Sequence, residues 1–316
     1  MTRPTLKKND YFFVGLIFCV ISLSLFVNDS FAQSEDDNSE DPKIYKVGTY
    51  ILNVGKIDLQ TGTYDLDFYL WISSDDENFV ESPPKIEFMN GKATVDPIKI
   101  EPNYYEVRIK GNFQKNMNFK NYPFEQLQLT IEIEGIKEID KLQFVVDDAE
   151  TGIDGLVNIP GWNLKGSQAH VTEHEYSDNT TFSRYVFALD IERFPLSSFL
   201  KTIFPVLIIT TIAMLAFWMS PTNFTARIGL GASTLLAAVA AHLNAAGQLP
   251  PIGYLTLMDK IMIIAYSLFL NNLLSMVIQM RYIDHKKEKE AERINSKMRK
   301  MMPIIIIIIF FALFFA

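Results

Sequence analysis

The sequence predicts an all-β extracellular sandwich followed by an all-α four-helix transmembrane bundle. Three observations carry this expectation. Residues 47–192 fall into short runs of β-branched and aromatic residues separated by turn signals, with no long helical pattern. At Pro195 the composition changes abruptly, and four apolar segments follow. The formal charge of −8 is unevenly spread: residues 34–195 carry 30 acidic against 15 basic side chains, whereas 281–300 carry 4 against 8.

In chain order, Arg3, Lys7 and Lys8 precede an apolar stretch over 11–27, and Ser30-Phe31-Ala32 has the small residues of a cleavage site. Residues 1–32 therefore read as a secretory signal, which places the domain at 33–195 outside the cytoplasm. The acidic lead-in at 34–41 has too little apolar content to fold alone. Strands are expected over 48–54, 63–71, 86–89, 104–113, 127–134, 141–146, 162–173 and 182–192, with turns at Gln60-Thr61-Gly62, Asn90-Gly91 and Ser177-Asp178-Asn179. Helices are expected over 196–219, 225–246, 258–280 and 295–316, the first three each long enough for a hydrocarbon core of roughly 30 Å. The basic stretch 281–300 should be cytoplasmic by the positive-inside rule. That puts the loop 247–257 on the same outer side as the sandwich, so the charge bias and the signal agree. The only cysteine, Cys19, lies in the signal, so the mature chain has neither a disulfide nor a thiolate metal site.

The second apolar segment is unusual. TARIGLGASTLLAAVAAHLN, residues 225–244, is rich in Gly, Ala, Ser and Thr and poor in the bulky side chains that lipid favours. Small residues allow close helix approach, and hydroxyls need partners or water, so this helix belongs inside a bundle or beside a pore.

Four places stand out: NFKNYPFEQLQ over 118–128, Glu192 to Pro195, Phe217-Trp218 with RIGLG over 227–231, and LPPIGY over 249–254. Together they resemble the pentameric ligand-gated ion channels, the Cys-loop receptor superfamily, and the likeness covers about residues 44–316. Asn118 to Gln128, NFKNYPFEQLQ, resembles the family's signature loop through Tyr122, Pro123, Phe124 and Glu125. Lys115 and Leu129 stand where animal receptors carry cysteines, as in prokaryotic members. Glu192-Arg193-Phe194-Pro195 resembles the junction of the last strand with the first helix. Phe217-Trp218 with Arg227-Ile228-Gly229-Leu230-Gly231 resembles the anion-selective glycine and GABA receptor branch, with Thr225 in place of a proline. Leu249 to Tyr254, LPPIGY, resembles the coupling loop, through Pro250 and Tyr254.

The resemblance implies a homopentamer (four identical partner subunits) that passes inorganic ions, with chloride-like anions expected, across the cell membrane in response to a small extracellular ligand of unknown identity. It implies pore-lining residues Thr225, Gly229, Ser233, Leu236, Ala240 and Leu243, whose spacing from Gly229 onward forms a seam on one helical face. Ala226 and Arg227 become the selectivity candidates, because cation-selective members carry a Glu where this chain has Ala226. Arg193 should meet Glu125, with Asp58 from the first turn completing the coupling cluster. Ligand-binding candidates are Tyr69 and, on the hairpin over 174–184 and just beyond it, His174, Tyr176, Phe182 and Tyr185; aromatic boxes suit ammonium groups.

Other readings are weaker. His170 and His174 could hold a metal but read as ordinary surface histidines, and the acidic groups around Asp75 and Asp147 could bind calcium but lack the EF-hand spacing, so no metal is expected. His242 is a candidate pH sensor. No P-loop, nucleophile elbow or zinc-protease helix occurs, so no enzyme, cofactor or nucleic-acid function is expected. The alternatives are a cation-selective or a proton- or divalent-gated channel of the same family. From another class, the alternative is a non-conducting membrane-anchored binding protein.

Overall fold

The computed structural model describes residues 41–315. The signal sequence and most of the acidic lead-in lie outside the described residues. From Pro42 onward the chain forms one compact unit.

Ten strands come first: β1 (Lys43–Asp58), β2 (Thr63–Ser73), β3 (Ile86–Phe88), β4 (Gly91–Glu101), β5 (Tyr104–Gln114), β6 (Gln126–Gly135), β7 (Leu142–Val146), β8 (Gly152–Ile153), β9 (Trp162–Glu175) and β10 (Thr181–Arg193). They form two sheets. One has the order β4-β5-β2-β1-β7 with β8 beside β1; the other has the order β3-β6-β10-β9. Alternating residues of both sheets supply a common core, among them Ile51, Phe68, Val107, Ile109 and Phe113 from the first and Leu129, Ile131, Phe187 and Leu189 from the second. A polar bolt joins the sheets through this core. The Tyr64 hydroxyl donates to Thr130 O (2.8 Å) and accepts from Thr130 N (2.9 Å), so its burial leaves no polar atom unmatched.

Strand β4 was not expected from the sequence. Its residues are mostly exposed, and Pro97 interrupts the alternation. It lies at a sheet edge with a register shift between Pro97 and Lys99, a place where a missing N–H is tolerated. β1 likewise begins earlier than expected, because Lys43 to Val47 pair in parallel with β7.

Four helical segments follow: α1 (Pro195–Trp218), α2 (Phe224–Ala246), α3 (Leu257–Asp284) and α4 (Glu288–Phe315). The first three are long and apolar enough to cross a membrane. α1 is irregular, with a π-helical turn over Phe199–Ile203 and a tightened final turn over Leu215–Trp218. The π turn ends two residues before Pro205, whose ring nitrogen cannot donate to the carbonyl a turn earlier and whose ring crowds it. α3 starts in a capping box: Thr256 Oγ1 accepts from Asp259 N (3.1 Å), and Asp259 Oδ2 accepts from Thr256 N (2.8 Å).

Most of the basic stretch 281–300 is helical, and the last helix starts before the expected 295. α3 runs to Asp284, Lys286 takes a left-handed turn conformation (φ 61°), and α4 begins at Glu288. Glu288 and Glu290 in the first turn favour that start electrostatically.

Candidate functional site

The turn over 115–125 sits where the two sheets meet the helices. Tyr122 and Pro123 are buried, joined by a cis peptide bond, and Phe124 packs against the core. Backbone bonds fasten this loop to the start of α3: Leu257 N donates to Lys120 O (2.8 Å) and Met258 N to Tyr122 O (3.1 Å). The loop 247–256 adds two side-chain contacts. Tyr254 Oη accepts from Phe119 N (2.9 Å), and the Tyr122 hydroxyl meets Gln248 Oε1 (3.2 Å). Pro250 and Tyr254 share a cavity with Tyr122 and Asp259 beneath the turn. Tyr254→Phe removes the acceptor of the Phe119 amide. We expect it to destabilise the full chain by about 1–3 kcal/mol, read as a lower melting temperature; an unchanged melt would show that another acceptor takes over.

Arg193, the last residue of β10, forms an ion pair with Glu125. Its guanidinium also lies over Trp162 (4.8 Å) and Tyr122 (5.9 Å). Glu125 is fully buried, and its second oxygen has no hydrogen-bond partner, so Arg193 is its chief stabiliser. The structure therefore brings Arg193, Glu125, Tyr122, Pro123 and Tyr254 together.

It does not bring Asp58 to them, which corrects that expectation. Asp58 pairs with Lys56 (2.8 Å) and accepts from the amides of Gln60 and Thr61 (3.1 and 3.3 Å), closing its own turn. The Lys56 contact, with those amides, holds its carboxyl below the usual range. The β1–β2 turn instead reaches the helices through Gln60, whose side-chain amide donates to Gly247 O.

α2 has two unlike faces. Arg227, Gly231, Thr234, Ala238 and Ala245 are buried. Thr225, Ala226, Gly229, Ser233, Leu236, Ala240 and Leu243 are exposed, with Leu236 71% and Leu243 68% accessible. The Ser233 hydroxyl donates to Gly229 O (2.8 Å), leaving its lone pairs facing outward.

Arg227 is the largest departure from expectation. It does not stand at the open face near the start of α2; it is 1% exposed and turned into the bundle. Its Nε donates to Ala216 O (2.9 Å), Nη1 to Gln279 Oε1 (2.9 Å) and Nη2 to Asn295 Oδ1 (2.8 Å). The sequence held a signal for this. At about 100° per residue, Arg227 lies on the side of α2 opposite Gly229 and in line with Thr234, Ala238 and Ala245. Gln279 and Asn295 carried no such signal.

The ligand candidates divide. His174, Tyr176 and Phe182 form a cluster at the β9–β10 hairpin, with edge-on rings 4.7 and 5.5 Å apart. The Tyr176 hydroxyl donates to Glu134 Oε2 (2.8 Å). A cavity of about 470 Å³ beside them is lined by Glu87, Glu134, Tyr176, Asp178 and Phe182. Burial and the neighbouring Glu134 raise the Tyr176 phenol, keeping it a donor at neutral pH. Tyr69 is half-buried on the other sheet. Tyr185 is fully buried among the core residues and does not face the hairpin cavity, a further correction; inward Ser183, Phe187 and Leu189 share its phase along β10.

Residues 202–308 match the model of the neurotransmitter-gated ion-channel transmembrane region. A proton-gated ion channel of Gloeobacter violaceus is 24% identical over 297 residues, 85% of this chain and 82% of that protein. These matches agree with the resemblance to the pentameric ligand-gated ion channels, the Cys-loop superfamily, read from the sequence. Two receptor subunits of this superfamily are also similar. The gamma-aminobutyric acid receptor subunit beta of Lymnaea stagnalis is 22% identical over 198 residues (61% of this chain, 39% of that one). The beta-4 subunit of Gallus gallus is 24% identical over 168 residues (51% and 34%). The matches thus cover under half the length of those two receptor subunits. Three of the chain's helices are long and apolar enough to cross a membrane, and the family model matched over 202–308 is that of an ion-channel transmembrane region.

Proposed function

We propose that five identical copies of this channel subunit enclose an ion pathway along the exposed face of α2 and that the pathway favours anions. In this reading the sandwich and the loop 247–256 lie outside the cytoplasm, the basic stretch 281–300 lies inside, and α4 completes a four-helix transmembrane bundle. The observation that carries it is the open seam Thr225, Gly229, Ser233, Leu236, Ala240 and Leu243, opposite a face buried against the subunit's own helices. A face of small and hydroxyl side chains suits water, and rings of Leu236 and Leu243 would close by dewetting. The anion preference rests on what surrounds the inner mouth. No acid occurs between Trp218 and Asn244. α2 begins without a side-chain cap, so its first N–H groups, at Thr225 and Ala226, present partial positive charge there. Arg227 adds a positive field from within the bundle, since among the described residues no carboxylate pairs with it.

A second reading concerns the stimulus. The imidazole of His242, at the outer part of α2, lies between Asp259 Oδ1 (Nε2, 3.0 Å) and the Tyr266 hydroxyl (Nδ1, 3.0 Å). Asp259 also caps α3, so a change of charge at His242 acts on the helix that meets Lys120 and Tyr122. This favours protons as the agonist, the stimulus named for the Gloeobacter relative.

Purified protein in liposomes tests both readings. Lowering the outer pH from about 7.5 to about 5 should start chloride flux. The reversal potential in a NaCl gradient should follow chloride, and His242→Gln should blunt the acid response. Movement toward the sodium potential would sink the anion reading, and an unaltered response of His242→Gln would remove that residue from gating.

A further inference from the structure

The inner end of α2 is held by a buried polar node to which all four helices contribute. α1 finishes in a tightened turn whose carbonyls keep spare acceptor capacity; Ala216 O, for one, accepts the Met219 amide (3.3 Å) and still has a second lone pair. Three of its carbonyls are each taken by a side chain from a different helix. Ala213 O accepts from Asn272 Nδ2 of α3 (2.9 Å), Ala216 O from Arg227 Nε of α2 (2.9 Å), and Phe217 O from Asn295 Nδ2 of α4 (3.0 Å). The Phe217 ring also lies 5.9 Å from the Arg227 guanidinium. Gln279, which accepts from Nη1, is itself oriented by donating to Ser275 Oγ (2.9 Å). Arg227, Asn272, Gln279 and Asn295 are each no more than 2% exposed.

A guanidinium cannot shed its charge. Beside a carboxylate it would be satisfied by one neighbour. Here its hydrogen bonds go to neutral oxygens only, and the Glu292 carboxylate acts on it at a distance without bonding it, so it is stabilised when α1, α3 and α4 all present their oxygens at once, and losing one leaves a buried charged donor without an acceptor. Asn295 matters most, since its two ends bridge Arg227 and Phe217 O, and it is the only hydrogen-bonded link recorded between α4 and α2 among the described residues.

We infer that Arg227 is a positioning residue, not a pore-facing charge, and that Asn295 uses it to lock α4 to the mouth end of α2. Movement of α4 is thereby felt at Ala226 and Gly229, the neighbours of Arg227 that face the proposed pathway. The inference does not depend on ion sign or stimulus.

Backbone hydrogen exchange on the full-length protein in lipid nanodiscs tests it without opening the channel, so a failed conduction assay and a failed lock are distinguishable. Asn295→Ala should accelerate exchange of amides 224–232, on another helix, by about tenfold or more. Arg227→Gln should do the same, and the double variant should exchange no faster than the faster single. Gln279→Glu supplies the missing carboxylate and should restore slow exchange in the Asn295→Ala chain. Acceleration confined to 288–300, or a double variant whose effect is the product of the singles, would overturn the lock. If Asn295→Ala fails to assemble, Gln279→Glu alone decides: exchange of 224–232 slower than native supports the lock, and unchanged or faster exchange overturns it.

Discussion

Ala226→Glu is expected to convert the proposed pathway from anion- to cation-preferring, seen as movement of the reversal potential in a NaCl gradient from the chloride toward the sodium value. Ala226 is exposed at the first turn of α2, beside Thr225 and one residue before the inward-turned Arg227. Its methyl leaves the positive helix ends unopposed. A carboxylate about 5 Å from a permeating cation attracts it by about 1 kcal/mol in bulk water and about 3 kcal/mol at an effective dielectric of 20. Copy for copy, the smaller value matches the upper part of the roughly 0.3–1 kcal/mol that a helix end contributes, and the larger exceeds it. Ala226→Gln has the same bulk without the charge and should keep the chloride preference, which separates electrostatics from size. Arg227→Gln should move the reversal potential far less, because that guanidinium lies outside the water-facing seam. If Ala226→Glu still reverses at the chloride potential, the mouth lies elsewhere and the assigned face of α2 is wrong.

The sequence made the strand and helix sequence legible because period-2 alternation and long apolar runs are local signals. Asn90 shows the limit of such reading. The Asn90-Gly91 turn was apparent, but not that Asn90 would fasten the second sheet by donating to Thr130 O (2.8 Å) and accepting from Glu132 N (3.0 Å). β4 was missed because an exposed edge strand with a proline carries no buried face to create a pattern. The resemblance supplied the meeting of Arg193 and Glu125, a contact 68 residues apart that no local signal could give. It failed at Asp58, where Lys56 and two backbone amides outcompete a distant arginine. Arg227 and Tyr185 were misassigned for a different reason. Both were assigned with the motif around them, whereas their own phase along the helix or strand, which was available, turns them inward. Gln279 and Asn295 were not legible at all, since neutral amides in apolar helices acquire a role only when packing sets a charge beside them.

Arg193→Glu is expected to be the most damaging single change at the junction. Glu125 is buried with one oxygen already unpartnered, so a second carboxylate replaces its counter-ion with a like charge. Removing one partner of such a pair destabilises by about 3–5 kcal/mol; the partial exposure of Arg193 favours the lower end, and the added repulsion moves the figure up again. The local consequence follows from the connections. Glu125 ends the turn whose Lys120 and Tyr122 carbonyls accept from the first amides of α3, while Arg193 leads directly into α1. Loosening the pair therefore uncouples the sandwich from two helices at once. In the assembled protein this should appear as a large fall in melting temperature and, in liposomes, as loss of the stimulus response. The exchanged pair Arg193→Glu with Glu125→Arg should recover part of the melting temperature through the restored ion pair. It should recover less of the gating, because the swapped arginine would sit in the buried position and lose the Trp162 ring that now lies 4.8 Å from the guanidinium. An Arg193→Glu protein with native melting and native response would remove this pair from both stability and coupling.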